Sequence, residues 1–598
     1  MLTIASPLAV ALICIVQVTA GADDTTRTVV VETSLGKVKG FKVDYDGKPQ
    51  LRGKAHVFKG IPYAAPPLGK LRFQKPRAPE AWTGELDATR FKPTCAQYRF
   101  KAKGAEGEED CLYVNVYAPA DKPTRANYPV FVWSKMGFHR GTPVNIPTEN
   151  VVSLLVEHGI IVVTFAYRES AYAFFTTHQK EFPANVQLFD VVAVLQWVNN
   201  DIGSFGGDPN KAALLHYSPH AEGLVQQTIQ PGHTIGHSPD YVSRTGESRI
   251  FCDIPTMGTE DSPSKKLAME LCALSGDEWK LVTTEAEGGE DRKAAVKKLD
   301  DCLSTKENKE ILAYTFDSAI FYDLKPEVDG EGGFIPKALA EMTPKSMPIL
   351  MGRSAFENSF RRIEVEDKSK EAYAKSVDYL IDFNFKGLSD PKKAVIRDVL
   401  HNYNLDLLPA SDEHQYTFAA ARLGDDHHIT QFQIELRNWA RKSKNKQVYM
   451  YIVEYVAQYI KDDKTIKLAA DHQYTFHGMT NTYLFKTKLG EINNADLNFC
   501  NRFGEWFADF VKTGNPTPRT KDWLPVTADR PLQYYALKTR STMEEYLRPR
   551  ADALWNQVVP RLLKIPDGPP KTDSSTTGTP AKLLLAGAAL IAALQQLH

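Results

Sequence analysis

Ile160-Ile-Val-Val-Thr-Phe-Ala166 is a short, almost wholly apolar run rich in branched and aromatic residues. A run of that length and composition predicts a buried strand. Tyr128-Pro-Val-Phe-Val-Trp133 before it, and Ala212-Ala-Leu-Leu215, Met347-Pro-Ile-Leu-Met351 and Val448-Tyr-Met-Tyr-Ile-Val-Glu454 after it, read the same way. Residues 150–157, 189–199 and 221–229 read as helices between them. Strand and helix in alternation predict an α/β fold, with a large, mostly parallel central sheet covered by helices on both faces. The charged stretch 284–309 reads as solvated helix and loop, and Asp425-Asp-His-His428 as a polar loop.

Composition narrows the function classes. The 598 residues carry 72 Lys+Arg against 73 Asp+Glu, a formal net charge of -1, and 43% are hydrophobic. Nucleic-acid binding predicts a basic excess, and disorder predicts few apolar residues with a large net charge, so neither applies. Gly 37 and Pro 36 are ordinary usage, and no repeat period stands out. Length alone suggests three or four domains at ~150 residues each, a prior that large α/β enzymes often break.

The two ends read as processing signals. Residues 8–20 are a short apolar run ending in Val18-Thr19-Ala20 and Ala20-Gly21-Ala22, followed by polar residues. Residues 1–22 are expected to be a secretory signal peptide cleaved after Ala20 or Ala22, although no Lys or Arg precedes the run. At the other end, a Pro/Ser/Thr-rich spacer over 561–582 leads into an apolar tail over 583–598 with no basic cluster after it. Its apolar stretch, 583–594, is shorter than the ~20 residues a bilayer span needs. The pattern predicts replacement of the tail by a glycosylphosphatidylinositol anchor on Ser574, or on its neighbours Asp573 or Ser575. No Asn-x-Ser/Thr sequon occurs, Asn515-Pro516-Thr517 being excluded by its proline. Without Cys14, which leaves with the signal, six cysteines remain: Cys95, Cys111, Cys252, Cys272, Cys302 and Cys500. An even count in a secreted chain suggests disulfides, and the absence of C-x-x-C spacing argues against a metal site built from them.

Four segments carry a resemblance. They are Phe58-Lys-Gly-Ile-Pro-Tyr63-Ala-Ala-Pro-Pro67, Glu109-Asp-Cys111-Leu-Tyr-Val-Asn-Val-Tyr117, Trp197-Val-Asn-Asn-Asp-Ile-Gly-Ser-Phe205-Gly-Gly-Asp-Pro-Asn210 and Phe510-Val-Lys-Thr-Gly-Asn-Pro516. Together they resemble the type-B carboxylesterase and cholinesterase family of α/β-hydrolases, over roughly residues 28–560. The resemblance implies one α/β-hydrolase domain there, a disulfide between Cys95 and Cys111, and a second between Cys272 and Cys302. Pairing of Cys252 and Cys500 stays open. In cholinesterases the first cysteine loop supplies a tryptophan for the choline cation, and residues 96–110 contain none. Acetylcholine is therefore a poor candidate ligand.

The family's chemistry needs a serine nucleophile, a carboxylate and a histidine base, in chain order Ser, Glu, His. By resemblance Ser218 takes the nucleophile position, Glu357 the acidic position and His477 the base position. The rest of the machinery departs from the pattern. His216-Tyr-Ser218-Pro219-His220 stands where the family has G-E-S-A-G. One oxyanion donor should be the backbone N–H of the residue after the serine, and Pro219 has none. Ser134-Lys135-Met136-Gly137-Phe138 replaces H-G-G-G-F, so Gly137 alone survives of three glycines. Ala184 and Gln187 replace two more. Ser218 and Pro219 also suit the N-cap and first turn of an ordinary helix.

These residues imply a catalytically impaired, cholinesterase-like protein held at the outer face of the plasma membrane. It is expected to act by binding a protein or small-molecule ligand, in the manner of the family's adhesion members such as neuroligins. The alternative is a membrane-tethered serine carboxylesterase with a rebuilt oxyanion hole, drawing donors from Gly137, Phe138 or the His139 ring. A third arrangement would gather His216, His220, His477 and Glu357 around zinc. No cofactor and no nucleic-acid partner are expected.

Overall fold

The computed structural model describes residues 27–564 except 100–103, 121–126, 135–145, 214–223, 225, 232–261, 285–288, 318–323, 325, 331–332, 336–346, 358–368, 386–387, 404, 406–414, 443–446, 463–474 and 477. Its first sheet contains β1 (Thr28–Thr33), β2 (Gly36–Asp44), β3 (Lys54–Pro62) and the short β4 (Glu85–Asp87). A separate hairpin, β5 (Gln97–Arg99) and β6 (Gly104–Glu106), precedes β7 (Tyr113–Pro119), β8 (Tyr128–Trp133), β9 (Ile161–Phe165) and β10 (Gly207–Ala213). The order across the sheet is β1-β2-β3-β7-β9-β8-β10, with β4 on β2. β1, β2, β3, β7 and β9 pair antiparallel, and β9, β8 and β10 run parallel. A second sheet runs β11 (Thr228–Pro231), β12 (Ile349–Ser354), β13 (Val448–Val453), β14 (Tyr534–Leu537) and β15 (Thr542–Glu544) in that order. It is parallel as far as β14 and closes on antiparallel β15. The expected α/β architecture is present, with its antiparallel strands gathered toward the two ends.

Period-two alternation explains how both faces are covered. Val130 and Val132 of β8, with Ile161, Val163 and Phe165 of β9, join the core that includes Val191, Leu195 and Val198 of helix α3 (Val186–Asp201). Their alternate neighbours Phe131, Trp133 and Val162 join the opposite core. That core is built with α1 (Thr148–Leu154), which lies before the short α2 (Ala171–Phe174) and α3, and with a long C-terminal helix over Asn494–Thr513. β9, β12 and β13 are buried at every position, as their unbroken apolar runs predict.

Between successive strands of the second sheet lie α4 (Pro263–Leu271), α5 (Gly276–Thr283), α6 (Glu290–Thr305), α7 (Asn308–Asp317), α8 (Lys370–Asn384), α9 (Asp390–Asn402) and α10 (Gln415–Lys442). Helix α6 occupies much of the charged stretch. Its Ala295, Leu299 and Leu303, four residues apart, form a buried stripe, and the remaining positions hold all of its charges. The implied disulfides are both formed: Cys95 with Cys111, and Cys272 at the end of α4 with Cys302 in α6. Cys500 is buried and unpaired, and Cys252 lies outside the described residues.

Two local expectations are corrected. Residues 228–229 are strand rather than the end of a helix: Thr228 and Ile229 pair in parallel register with Ile349 and Leu350, and Pro231 sits at the last position of β11. The edge of β12 offers ladder partners that a local reading of 221–229 does not see. Asp425-Asp-His-His428 is the middle of α10, and Asp425 and Asp426 are fully buried. Arginines from distant segments satisfy these carboxylates, which removes the reason for a polar loop.

The helix Asn494–Thr513, named α11 here, begins at Asn493, whose side chain accepts from the Asp496 N–H at 2.8 Å, and ends at Gly514 with φ +73°. It crosses α1 so closely that a Cβ on Gly504 would lie 2.1 Å from the Leu154 carbonyl oxygen. Gly504→Ala is expected to lower the unfolding free energy by about 1–3 kcal/mol, measured by chemical denaturation, because backbone must move to admit the methyl. Among the described residues no helix is long and apolar enough to cross a membrane.

Candidate active site

Parallel pairing of β10 on β8 directs the C-terminal ends of both strands to the same edge of the sheet. In sequence, the loop containing Gly137 follows β8, and Ser218 follows β10. Ser218, Pro219, Gly137 and His477 themselves lie outside the described residues, as do Ser574, His216 and His220. Of the acid, base and nucleophile positions, Glu357 is the one the structure describes.

Glu357 follows β12 by one turn and is 3% exposed. Its Oε2 accepts from the Ser354 N–H at 2.7 Å, and its Oε1 accepts from the Gly478 N–H at 3.1 Å. The segment before Gly478 is latched to the same turn. Phe356 forms a parallel bridge with Phe476, the Phe356 N–H donates to the Thr475 carbonyl at 3.1 Å, and the Ala355 N–H donates to Thr475 Oγ1 at 2.9 Å. Thr475 Oγ1 in turn donates to the Val453 carbonyl at the end of β13. The backbone on both sides of position 477 is thus tied to the acidic turn by three hydrogen bonds and a bridge. A carboxylate offers about four acceptor sites, so two bonds from the backbone are compatible with an acid that orients a base.

Behind Glu357 lies a charge cluster that sequence reasoning missed. Arg353, 0% exposed on β12, donates through Nη2 to Asp425 and through Nε to the Ser354 carbonyl at 3.2 Å. Arg548 donates to Asp425 Oδ2 at 3.1 Å, to Asp426 Oδ1 at 2.6 Å and to the Ala355 carbonyl. Arg422 donates to both oxygens of Asp426 at 3.0–3.1 Å, and the Tyr403 hydroxyl donates to the same carboxylate. Arg548 and Arg422 also lie 4.9 and 5.8 Å from the Phe356 ring. The signal available in sequence was Arg422 four residues before Asp426, the spacing of a helical ion pair.

The departures near α3 are packed rather than open. Asn185 is left-handed at φ +59°; its Nδ2 donates to the Glu327 carbonyl and its Oδ1 accepts from the Glu327 N–H, both at 2.8 Å. Gln187 is buried and donates to the Arg168 carbonyl at 2.9 Å, and Ala184 is buried beside it. His178 Nε2 meets Glu327 Oε2 at 2.8 Å, a His–Glu contact that no motif announced. A small pocket among the described residues lies elsewhere. Its lining includes Pro67, Arg72, Glu109, Arg168 and Glu169 beside the Cys95–Cys111 disulfide, and it shares no residue with the Glu357 turn. The zinc arrangement rests on three histidines outside the described residues; among the described residues no group of three or more His, Cys, Asp and Glu side chains is placed to hold a metal.

The carboxylesterase family profile matches residues 27–555. The chain is 25% identical to an acetylcholinesterase of Leptinotarsa decemlineata, over 90% of this chain and 87% of that protein. It is 26% identical to an acetylcholinesterase of Bungarus fasciatus, over 93% and 90%. It is 24% identical to carboxylesterase 1C of Mus musculus, over 91% and 94%.

Proposed function

The chain belongs to the carboxylesterase family, and from that premise we propose that it is a catalytically impaired member that works at the cell surface by binding a protein or small-molecule ligand. Pro219 carries this reading: the residue after the nucleophile position has no N–H to give an oxyanion. Lys135 and Met136 support it, because their side chains restrict a loop whose glycines in the family let backbone amides approach an acyl oxygen. The near-zero net charge gives no bulk electrostatic steering, so recognition depends on a local surface.

One observation favours a second reading. Glu357 is still buried and still latched to the backbone beside position 477, as an orienting acid requires. Under that reading the protein is a tethered serine carboxylesterase using Ser218, Glu357 and His477 with donors rebuilt from the Gly137 loop. Ester turnover compared with a Ser218→Ala variant separates the two.

The cell-surface part of the proposal rests on the polar spacer and apolar tail after residue 560. Treating intact expressing cells with a phosphatidylinositol-specific phospholipase is expected to release the protein into the medium. Retention on the membrane after treatment counts against the anchor, and Ser574→Leu with Asp573→Leu and Ser575→Leu is expected to abolish surface display.

A further inference from the structure

The buried cluster behind Glu357 does not balance on its own. Among the described residues it brings together three guanidinium groups, Arg353, Arg422 and Arg548, with two aspartates, Asp425 and Asp426. Arg422 retains some solvent contact and Arg548 less, whereas Arg353 has none. Asp425 is shared between Arg353 and Arg548, while Arg353 Nη1 is buried with no hydrogen-bond partner. The Phe432 ring lies 5.5 Å from its guanidinium carbon. An uncompensated buried charge is among the costlier features a fold can carry. The next buried carboxylate on the same turn is Glu357, four residues along and bonded to the Ser354 N–H, while the Ser354 carbonyl accepts from Arg353. Burial holds the Arg353 guanidinium below its ordinary value, and the charges of Asp425 and then Glu357 oppose that effect.

We propose that Glu357 is kept as the third counter-charge of this cluster, and that Arg353 is a positioning residue that holds the Glu357 carboxylate ionised. In an acting triad the acid stabilises the imidazolium that forms on the base. Arg353 supplies a permanent cation whether or not that imidazolium forms, which gives the acid a reason to persist where its catalytic use has gone. This role rests on the non-catalytic reading for why the acid persists. The two fail by different measurements, ester turnover for that reading and charge coupling for this one.

Infrared difference spectra at neutral pH, wild type minus Glu357→Gln, are expected to show loss of an ionised carboxylate band. The same difference in an Arg353→Met background is expected to show loss of a protonated carboxylic acid band. An ionised band in both backgrounds overturns the proposal. Thermal unfolding supplies the second measurement: Glu357→Gln is expected to lower Tm by about 3–5 °C when Arg353 is present, and by no more than about 1 °C in Arg353→Met. Additive Tm changes, or a shift under about 1 °C for Glu357→Gln alone, overturn it. Should Arg353→Met fail to fold, Arg353→Lys keeps the charge without the fork, and the carboxylate band and the Glu357→Gln penalty are both expected to survive in it. Loss of either in that background overturns the role of the positive charge.

Discussion

Purified protein is expected to hydrolyse p-nitrophenyl acetate no faster than its Ser218→Ala variant, and an organophosphate is expected to leave no adduct on Ser218. The reasoning starts from where charge develops. Attack on an ester carbonyl moves negative charge onto oxygen, and the family meets that charge with preorganised backbone N–H groups. Removing one such donor costs about 10²–10³ in rate. Pro219 removes one outright, and Lys135 and Met136 stand where two glycines allow the loop to approach. The penalties need not multiply, and one of them alone would leave part of an acceleration of about 10⁶ or more in place, so the expectation of background turnover rests on the loss of both donor sources together. Restoring the donor with Pro219→Ala is expected to give no more than a partial recovery, because the Lys135-Met136 segment is unchanged. Combining it with Lys135→Gly and Met136→Gly is expected to give the larger gain, read as turnover that Ser218→Ala abolishes. Ser218-dependent hydrolysis well above background in the unmodified protein would sink the non-catalytic reading. Labelling without turnover would place the defect after acylation and count against it in part, since an adduct requires an activated serine.

How much of this was legible in sequence depended on whether the stabilising partner was near in the chain. β9, β12 and β13 are buried at every position, and their apolar runs announce that without help from elsewhere. Glu357 was placed through motif resemblance, and the structure shows it buried. What position in sequence did not reveal is the latch, in which Thr475 and Gly478 reach the acidic turn across separations of 120 and 121 residues. Asp425 and Asp426 were misread as a loop for the same reason. Arg422 lies only four residues from Asp426, but the other countercharges, Arg353 and Arg548, lie 72 and 122–123 residues away, and acids without those partners are best solvated. The strand Thr228–Pro231 was misread because its identity comes from the edge of β12 rather than from its own four residues. His178 and Glu327 had no signal at all. Their contact depends on a left-handed residue at 178, φ +58°, and on Asn185 clasping the backbone of Glu327.

The largest stability effect is expected at Asp190. This carboxylate is 0% exposed in α3, and it accepts from three groups of one residue: the Arg168 N–H at 3.1 Å, Nε at 3.0 Å and Nη2 at 2.6 Å. Arg168 spends its remaining arm on the Gln74 carbonyl at 2.7 Å, and its own carbonyl accepts from Gln187. The pair therefore fixes the chain leaving β9 against α3 and against the segment before β4, beside the edge from which the active-site loops emerge. Asp190→Asn keeps the shape and removes the charge, leaving a buried guanidinium with neutral acceptors. Breaking one side of a buried pair costs about 3–5 kcal/mol, whereas replacing both sides with apolar groups of similar volume is often close to neutral. Guanidinium unfolding of Asp190→Asn is accordingly expected to show a loss of about 3–5 kcal/mol, and Arg168→Met with Asp190→Leu a smaller one despite the two substitutions. The double variant still loses the Gln74 contact, so full recovery is not expected. A loss under about 1 kcal/mol in Asp190→Asn would mean that water reaches the guanidinium, and a double variant as unstable as the single one would mean that hydrogen-bond geometry, rather than unpaired charge, sets the cost.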